Sequence, residues 1–194
     1  EYEYTCTNYI LLGLLIERVM KKPLEQLAEE RIFHPLGMND TKWGAPVDGA
    51  LSRTIRTINA APGVISDHGA RAIAPHRIGN AGIFSTASDL AKFCRMMLNR
   101  GRGFFKTDIA ELFFTNQAPP GMTPRSIGWN MAPDFIPEGC SASTIHHTGW
   151  TGQAVWIDPA KQRFLILLTN RFGDSIESWR GRLAAAQEIF NTIV

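Results

Sequence analysis

The first third of the chain is dominated by a segment that is apolar on nearly every side. Apolar residues fill most of positions 8–21 and leave a narrow polar side, formed by Glu17, Arg18 and Lys21. A helix with this pattern is expected to be covered on most of its faces. Pro23 favours the first turn of a second helix, predicted over residues 24–33 and followed by a stop at Gly37.

Residues 39–83 show little periodicity and are rich in glycine, proline and alanine. They predict long connecting loops with one short helix near residues 67–72, and so long an irregular stretch is usually functional or covers another part of the molecule. A capping box from Thr86 to Asp89 then begins a helix that ends at residues 99–101. A shorter helix is predicted over residues 108–114.

After residue 124 the apolar pattern changes to the period of two that is typical of strands. Four strands are predicted, over residues 126–131, 143–148, 153–158 and 163–169, and the last two form a hairpin. Residues 164–168 are apolar on both faces, which predicts a central strand covered on each side.

A final helix carries one apolar stripe suited to lie across this sheet, formed by Ile176, Trp179, Leu183, Ala186, Phe190 and Ile193. Helices and loops come first, an antiparallel sheet second and a covering helix last, so the order predicts an α+β fold. We expect a mainly helical and loop region over residues 1–124. Residues 125–194 should form the antiparallel sheet and its C-terminal helix.

Composition narrows the classes of partner. The chain has 194 residues, is 44% hydrophobic and carries a net charge of +2, with scattered basic residues. This net charge is too small to predict binding to nucleic acid or to an anionic membrane. The longest apolar run is too short to span a bilayer. Three widely spaced cysteines predict neither a disulfide framework nor a zinc site, and the five histidines lack metal-binding spacing, so no metal is expected.

The segment with the most chemical content runs from His147 to Gly152, at the end of one predicted strand. His146 and His147 must point to opposite faces of that strand, so at most one of them faces a site. Gly149 and Gly152 have no side chains that would block a substrate lying along the strand edge. Trp129, Trp150 and Trp156 are more often core residues than ligand contacts, although Trp150 could line an acyl pocket.

Several segments together resemble the serine β-lactamase-like family, which contains class C β-lactamases, DD-peptidases, related penicillin-binding proteins and esterases. Residues 4–13, beginning Tyr4-Thr5-Cys6-Thr7-Asn8, resemble the tyrosine motif of this family, and residues 31–38 resemble the segment that follows it. Residues 79–90, 126–129 and 147–152 also occur in the family's order. The ordered set, which covers nearly the whole chain, is more specific than any one motif.

This resemblance implies a β-lactamase/transpeptidase-like fold and a two-step acyl transfer to a serine. It makes Tyr4 the tyrosine that shuttles the proton, and it puts His147 in the place of the lysine of the Lys-Thr-Gly motif. Thr148, Gly149 and Trp150 would bind the substrate, with the Trp150 N–H as one oxyanion donor. A small ester or amide is the implied substrate, without a cofactor. Such proteins are usually periplasmic or secreted, and a cytoplasmic location stays open.

Two departures from the family pattern change the expected function. No serine in the chain has a lysine three residues later, so the nucleophile is expected upstream of Glu1. Cys6 stands where the family often has asparagine or aspartate, and because a thiol hydrogen-bonds poorly, an esterase or peptidase is favoured over an efficient β-lactamase.

Three alternatives stay open. The chain could be a non-catalytic binding or structural module on the same scaffold, or an inactive fragment, and Tyr4 could be an ordinary half-buried tyrosine. Family members complete the sheet with strands from their N-terminal part. Without those strands, the sheet of this chain would have an exposed edge. The chain is therefore expected to associate with itself or with that N-terminal segment.

Overall fold

The computed structural model describes residues 5–47, 49–57, 61–171 and 175–192. The chain divides into two compact units, Glu1–Lys92 and Phe93–Val194. The first unit is helices and loops with a small sheet, and the second contains an antiparallel sheet and a long C-terminal helix. This mixture confirms the predicted α+β class. The functional division expected at residues 124 and 125 stays a prediction.

The helices of the first unit are α1 (Thr7–Met20), α2 (Leu24–Ala28), a π-helical turn (Glu29–Phe33), α3 (His34–Leu36), α4 (Gly49–Ser52), α5 (His68–Ala72) and the first half of α6 (Ala87–Leu98). The second predicted helix therefore forms, but its latter half is π-helical and it continues to residue 36. Gly37 ends it with a φ of +66°, a left-handed conformation that glycine adopts without steric cost.

Helix α1 lies within one residue of its predicted bounds at each end, but it does not have the predicted environment. Gly13 is its one buried residue, and its apolar side chains are largely exposed, namely Leu11, Leu12, Leu14, Leu15, Val19 and Met20. The prediction that this helix is covered on most faces is therefore wrong for this chain. Among the described residues, no helix is both long enough and apolar enough to cross a bilayer.

The loop region of the first unit contains a two-stranded sheet that the sequence pattern missed. Strand β1 (Lys42–Trp43) pairs antiparallel with β2 (Ile83–Phe84). The buried carboxylate of Asp89 accepts hydrogen bonds from the Asp40 N–H at 2.8 Å, the Thr41 hydroxyl at 2.9 Å and the Lys92 ammonium at 2.8 Å. Residue 89 is thus both the acid of the capping box and an anchor for this loop.

The second unit is built on a three-stranded antiparallel sheet in the order β3-β4-β5. Its elements are α7 (Thr107–Leu112), a 3-10 turn (Pro133–Phe135), β3 (Ile145–Thr148), β4 (Gln153–Asp158), β5 (Arg163–Leu168) and α8 (Ser175–Thr192). In β4 the side chains of Ala154 and Trp156 are fully buried against Ala186 and Phe190 of α8. The predicted hairpin and the helix that covers the sheet are therefore confirmed.

Two strand predictions are wrong. Residues 126–131 do not form a strand, because they make only isolated bridges, in which Asn130 pairs with Arg125 and with His146. Strand β5 is not central: among the described residues it pairs with β4 alone and lies at an edge of the sheet. Its apolar side chains are accordingly half-buried or exposed, whereas those of β4 other than Val155 are buried.

A buried carboxylate fixes the turn between β4 and β5. Asp158 is fully buried and accepts hydrogen bonds from the Ser141 hydroxyl at 2.5 Å and the Lys161 N–H at 3.3 Å, and it forms an ion pair with Arg163 at 3.7 Å. Because the turn joins Asp158 directly to its partner Arg163, it also sets the register of the whole hairpin, as far as Gln153 opposite Leu168.

Candidate active site

Strand β3 presents its two histidines to opposite faces of the sheet, as the alternation of side chains requires. His146 is buried with only 2% of its surface exposed, whereas the side chain of His147 is exposed. The imidazole of His146 stacks on three aromatic rings, with centroids at 5.7 Å for Phe135, 6.1 Å for Trp179 and 6.5 Å for Trp156. His146 is therefore the core histidine of the pair.

Burial is the largest cause that lowers the pKa of His146 to about 3, and the nearby His147 and Arg125 contribute in the same direction. Neither ring nitrogen has a hydrogen-bond partner within the described part of the chain. The ring is thus neutral at ordinary pH, and its contribution is to packing.

Acid should destabilise the second unit through this residue. An unfolded histidine binds a proton below pH ~6.5, but the folded one does so only near pH 3. The unfolded state therefore takes up more protons between these values, and the unfolding free energy should fall as the pH decreases, by on the order of 4 kcal/mol near pH 3. Urea denaturation between pH 7 and pH 4 measures the slope.

His146→Phe should make that slope shallower, whereas Ala142→Ser, a change at an exposed position of the same unit that carries no titratable group, should leave it as it is. An equal pH dependence in the native chain and in His146→Phe would contradict the assignment to His146.

The exposed imidazole of His147 has a defined orientation. Its Nδ1 lies 3.1 Å from the Thr148 carbonyl oxygen, which can only accept, so Nδ1 carries the hydrogen and Nε2 the lone pair. Trp129 lies edge-on to the ring with centroids 6.5 Å apart. Partial burial by the surrounding protein lowers the pKa of His147, and the hydrogen bond to the Thr148 carbonyl acts in the opposite direction. Because water reaches the side chain, we expect a smaller shift than for His146.

The turn from Gly149 to Gly152 is tightly folded on itself. The Gly149 N–H donates to the Gln153 carbonyl at 2.8 Å, and the Gly152 N–H donates to the Gly149 carbonyl at 3.1 Å. Gly152 has a φ of +122°, and a Cβ there would lie 2.6 Å from the Thr169 carbonyl oxygen. A Cβ on Gly149 would lie 2.6 Å from the Gln153 side chain. The chain's own backbone therefore occupies the space at Gly152, whereas the atom nearest to a Cβ on Gly149 is the end of the flexible Gln153 side chain. The predicted role of Gly149 beside a substrate stays a prediction.

Trp150 lies at the tip of this turn with 72% of its surface exposed. Its backbone N–H donates to no acceptor within the described residues, so it is available to a ligand. The Arg171 guanidinium carbon lies 3.8 Å from the centre of the Trp150 ring, and the Arg171 N–H donates to the Thr151 carbonyl at 2.9 Å. Trp156, by contrast, is a fully buried core residue, and Trp129 is half-buried.

Sequence reasoning missed Arg171, although the hairpin contains the signal. Gln153 pairs with Leu168, and extending this register three residues beyond the strands brings Trp150 opposite Arg171. Cross-strand neighbours of this kind are close enough for long side chains to interact. The hairpin was predicted from the sequence, but its register, from which this pair follows, was not.

Tyr4, the other predicted catalytic residue, lies outside the described residues. Cys6, the residue that departs from the family motif, is described and exposed just before α1. Among the described residues, no group of three or more His, Cys, Asp or Glu side chains could hold a metal ion.

Two of the cysteines are poor candidates for a replacement nucleophile. Burial raises the pKa of Cys94 to about 12, so its thiol stays protonated at neutral pH. Burial also raises the pKa of Cys140, while the charge of Arg163 opposes the change. A thiol reacts as the thiolate, so these environments disfavour attack by either sulfur.

The sequence of the chain is similar to that of longer known proteins. The chain is 31% identical over 201 residues to an N-acetylmuramyl-L-alanine amidase of Bacillus subtilis (strain 168), an alignment that covers 88% of this chain and 44% of the relative. The chain thus spans less than half the length of that relative.

Solved structures show the same fold at lower sequence identity. A β-lactamase from Sulfitobacter sp. EE-36 superposes with a TM-score of 0.72 at 19% identity, over 98% of this chain and 60% of that one. An octameric penicillin-binding protein homologue from Pyrococcus abyssi gives a TM-score of 0.63 at 21% identity, over 96% of this chain and 43% of that one. The family model described as Beta-lactamase matches residues 1–188. With nearly its whole length matched, the chain belongs to the serine β-lactamase-like family of hydrolases.

Proposed function

We propose that this chain is the C-terminal portion of a serine hydrolase that acts through an acyl-enzyme on an ester or a small amide. The observation that carries the proposal is the end of β3, where an exposed, oriented imidazole at His147 adjoins a turn with an available N–H at Trp150. A proton acceptor beside an oxyanion donor is the arrangement that acyl transfer needs.

Each residue of the proposed site has a separate task. Tyr4 takes the proton of the serine nucleophile and returns it to the leaving group, and His147 accepts or relays a proton through Nε2. Thr148 and Gly149 line the bound substrate. The Trp150 N–H stabilises the oxyanion, together with the N–H of the nucleophile itself. His147 is largely neutral at pH 7 because its pKa is lowered, so it supplies less positive charge than the lysine that it replaces.

The proposed substrate class rests on the side chain at position 6 and on the similarity to a curated relative. The exposed thiol of Cys6 is a weak hydrogen-bonding group at a motif position where the family often has a polar side chain, which favours an ester or a simple amide over a β-lactam. The similarity to a protein named as an amidase supports including amides among the proposed substrates. Esterase and peptidase activities are therefore proposed ahead of β-lactamase activity.

The proposal is tested on the intact protein that carries the Ser-x-x-Lys segment. It should hydrolyse a p-nitrophenyl ester and gain the mass of one fluorophosphonate adduct on a serine. A protein that neither hydrolyses esters or amides nor forms the adduct would instead support a non-catalytic binding or structural module on this scaffold.

We also propose that the apolar surface of α1 is covered by the remainder of the intact protein. A groove of about 370 Å³ runs along this helix and is lined by Leu15, Ile16, Val19, Met20, Leu27 and Arg31. Apolar surface of this extent is uncommon on a monomer. Because the chain spans 44% of the matched amidase, a longer chain would have the material to cover it.

On its own, the 194-residue chain is expected to self-associate through α1 and to bind a hydrophobic dye. Size-exclusion chromatography with light scattering should give a mass above that of the monomer. The double variant Leu11→Ser and Leu15→Ser should reduce both the association and the dye binding, because it removes exposed apolar surface. Arg18→Ser, a change at an exposed polar position of the same helix, is the matched control.

A monodisperse monomer that binds no dye would contradict this proposal for α1. It would not affect the proposed chemistry, because none of the proposed catalytic groups lies within this helix.

A further inference from the structure

The segment that follows β5 holds the turn that carries Trp150. Thr169 donates its hydroxyl hydrogen to the Gly152 carbonyl at 2.5 Å, and the Arg171 N–H donates to the Thr151 carbonyl at 2.9 Å. Gly152 lies so close to this segment that a Cβ would be 2.8 Å from the Arg171 nitrogen. Backbone contacts therefore fix residues 151 and 152, but they do not act on the Trp150 side chain.

The Trp150 ring is held mainly by Arg171. The ring is 72% exposed and makes no ring–ring contact within the described residues, whereas the guanidinium lies 3.8 Å from its centre. A guanidinium at this distance stacks on an indole with favourable electrostatics. The Arg171 Nη1 atom is buried and has no hydrogen-bond partner within the described residues. Among the described residues, a stacking contact and not an ion pair accounts for the position of this side chain.

We propose that Arg171 is a positioning residue that fixes the Trp150 peptide, and with it the N–H that donates to the oxyanion. This inference rests on the proposed acyl-transfer function. The Trp150 N–H makes no hydrogen bond to the described residues, so no internal acceptor orients it. The stacked side chain restrains the rotation of this residue at an otherwise open tip. An oxyanion donor helps only if it is preorganised toward the developing charge.

Loss of the Arg171 side chain should slow the chemical step and should not weaken binding of the substrate. In the intact protein, Arg171→Gln is expected to lower kcat by about 10- to 100-fold, the loss that a misplacement of about 1 Å causes. KM should change by less than about twofold, since the donor acts on the transition state. Arg171→Lys keeps a cation over the ring and should recover part of kcat. Both variants keep the backbone bond to Thr151.

The matched control is Arg100→Gln. Arg100 also stacks on an aromatic ring, with its guanidinium carbon 4.6 Å from the centre of Phe114, but it has no contact with the turn of residues 149–152. It should leave kcat and KM unchanged. A loss of kcat in Arg100→Gln as large as that in Arg171→Gln would show that general destabilisation is the cause, and it would overturn the positioning role.

A second measurement does not depend on catalysis. The fluorescence of Trp150 is obtained by subtracting the fluorescence of the Trp150→Phe variant from that of the 194-residue chain. The same subtraction is made in the presence of the Arg171→Gln substitution. Loss of the stacked guanidinium should expose both faces of the indole and raise its quenching by acrylamide. Unchanged quenching of Trp150 in Arg171→Gln would overturn the inference even if the intact protein hydrolysed nothing.

The two failures are distinguishable. If Tyr4→Phe abolishes turnover and Arg171→Gln retains it, the positioning role is wrong and the proposed function stands. If the intact protein shows neither turnover nor serine labelling, the proposed function fails. Arg171 then has no oxyanion to serve, and the inference falls with it whatever the quenching result.

Discussion

The 194-residue chain on its own is expected to hydrolyse no ester or β-lactam and to form no acyl-serine adduct. None of its serines has a lysine three residues later, so the proposed nucleophile and one oxyanion donor are absent. Removing the nucleophile of a serine hydrolase lowers kcat by on the order of 10⁶-fold. Intact mass spectrometry after treatment with a fluorophosphonate or a penicillin checks this result, with the intact protein as the positive control.

A serine adduct on the isolated chain would contradict this expectation, and peptide mapping would then identify the residue. Cys6 needs a separate control because its thiol is exposed. The Cys6→Ser variant shows whether any gain in mass comes from the thiol.

In the intact protein, Tyr4→Phe is expected to lower kcat by about 10²- to 10⁴-fold, the usual contribution of a general acid–base residue. KM should change much less, because the phenol acts on a proton in transfer and not on the resting substrate. Steady-state kinetics with a p-nitrophenyl ester measures both constants.

Tyr9→Phe is the matched control. Tyr9 lies on α1, is 39% exposed and is not assigned to the site, so removing its hydroxyl should leave kcat unchanged. His147→Ala should be milder than Tyr4→Phe and should change the pH profile in the range where imidazole titrates. Near-normal kcat in Tyr4→Phe would show that Tyr4 is not the proton shuttle.

Local patterns were sufficient for much of the fold. The mostly apolar run over residues 8–21 predicted α1, and the capping box at Thr86 located α6, because helix formation depends on neighbours three or four residues away. The hairpin of β4 and β5 also followed from alternation and a short turn. Alternation predicted that His146 and His147 lie on opposite faces of the strand, which the structure confirms, and the structure showed that His146 is the buried one.

Long-range contacts decided what these patterns could not. The β1–β2 pair joins residues 40 and 42 positions apart in the chain, and two-residue strands carry too little periodicity to be recognised. Residues 126–131 have the alternation of a strand, but Asn130 makes only isolated bridges, so the ladder does not form. Apolar content indicated that α1 and β5 should be covered, but it could not show whether this chain supplies the cover.

The ordered motifs in the sequence determined the family and the proposed chemistry, because side-chain types at fixed spacings are what acyl transfer requires. Only the tertiary structure showed that Gly152 makes room for the chain's own backbone and that Arg171 stacks on Trp150. The reason is physical. A motif is local in the chain, whereas the contacts that orient it come from the strand beside it, whose register depends on the turn at Asp158.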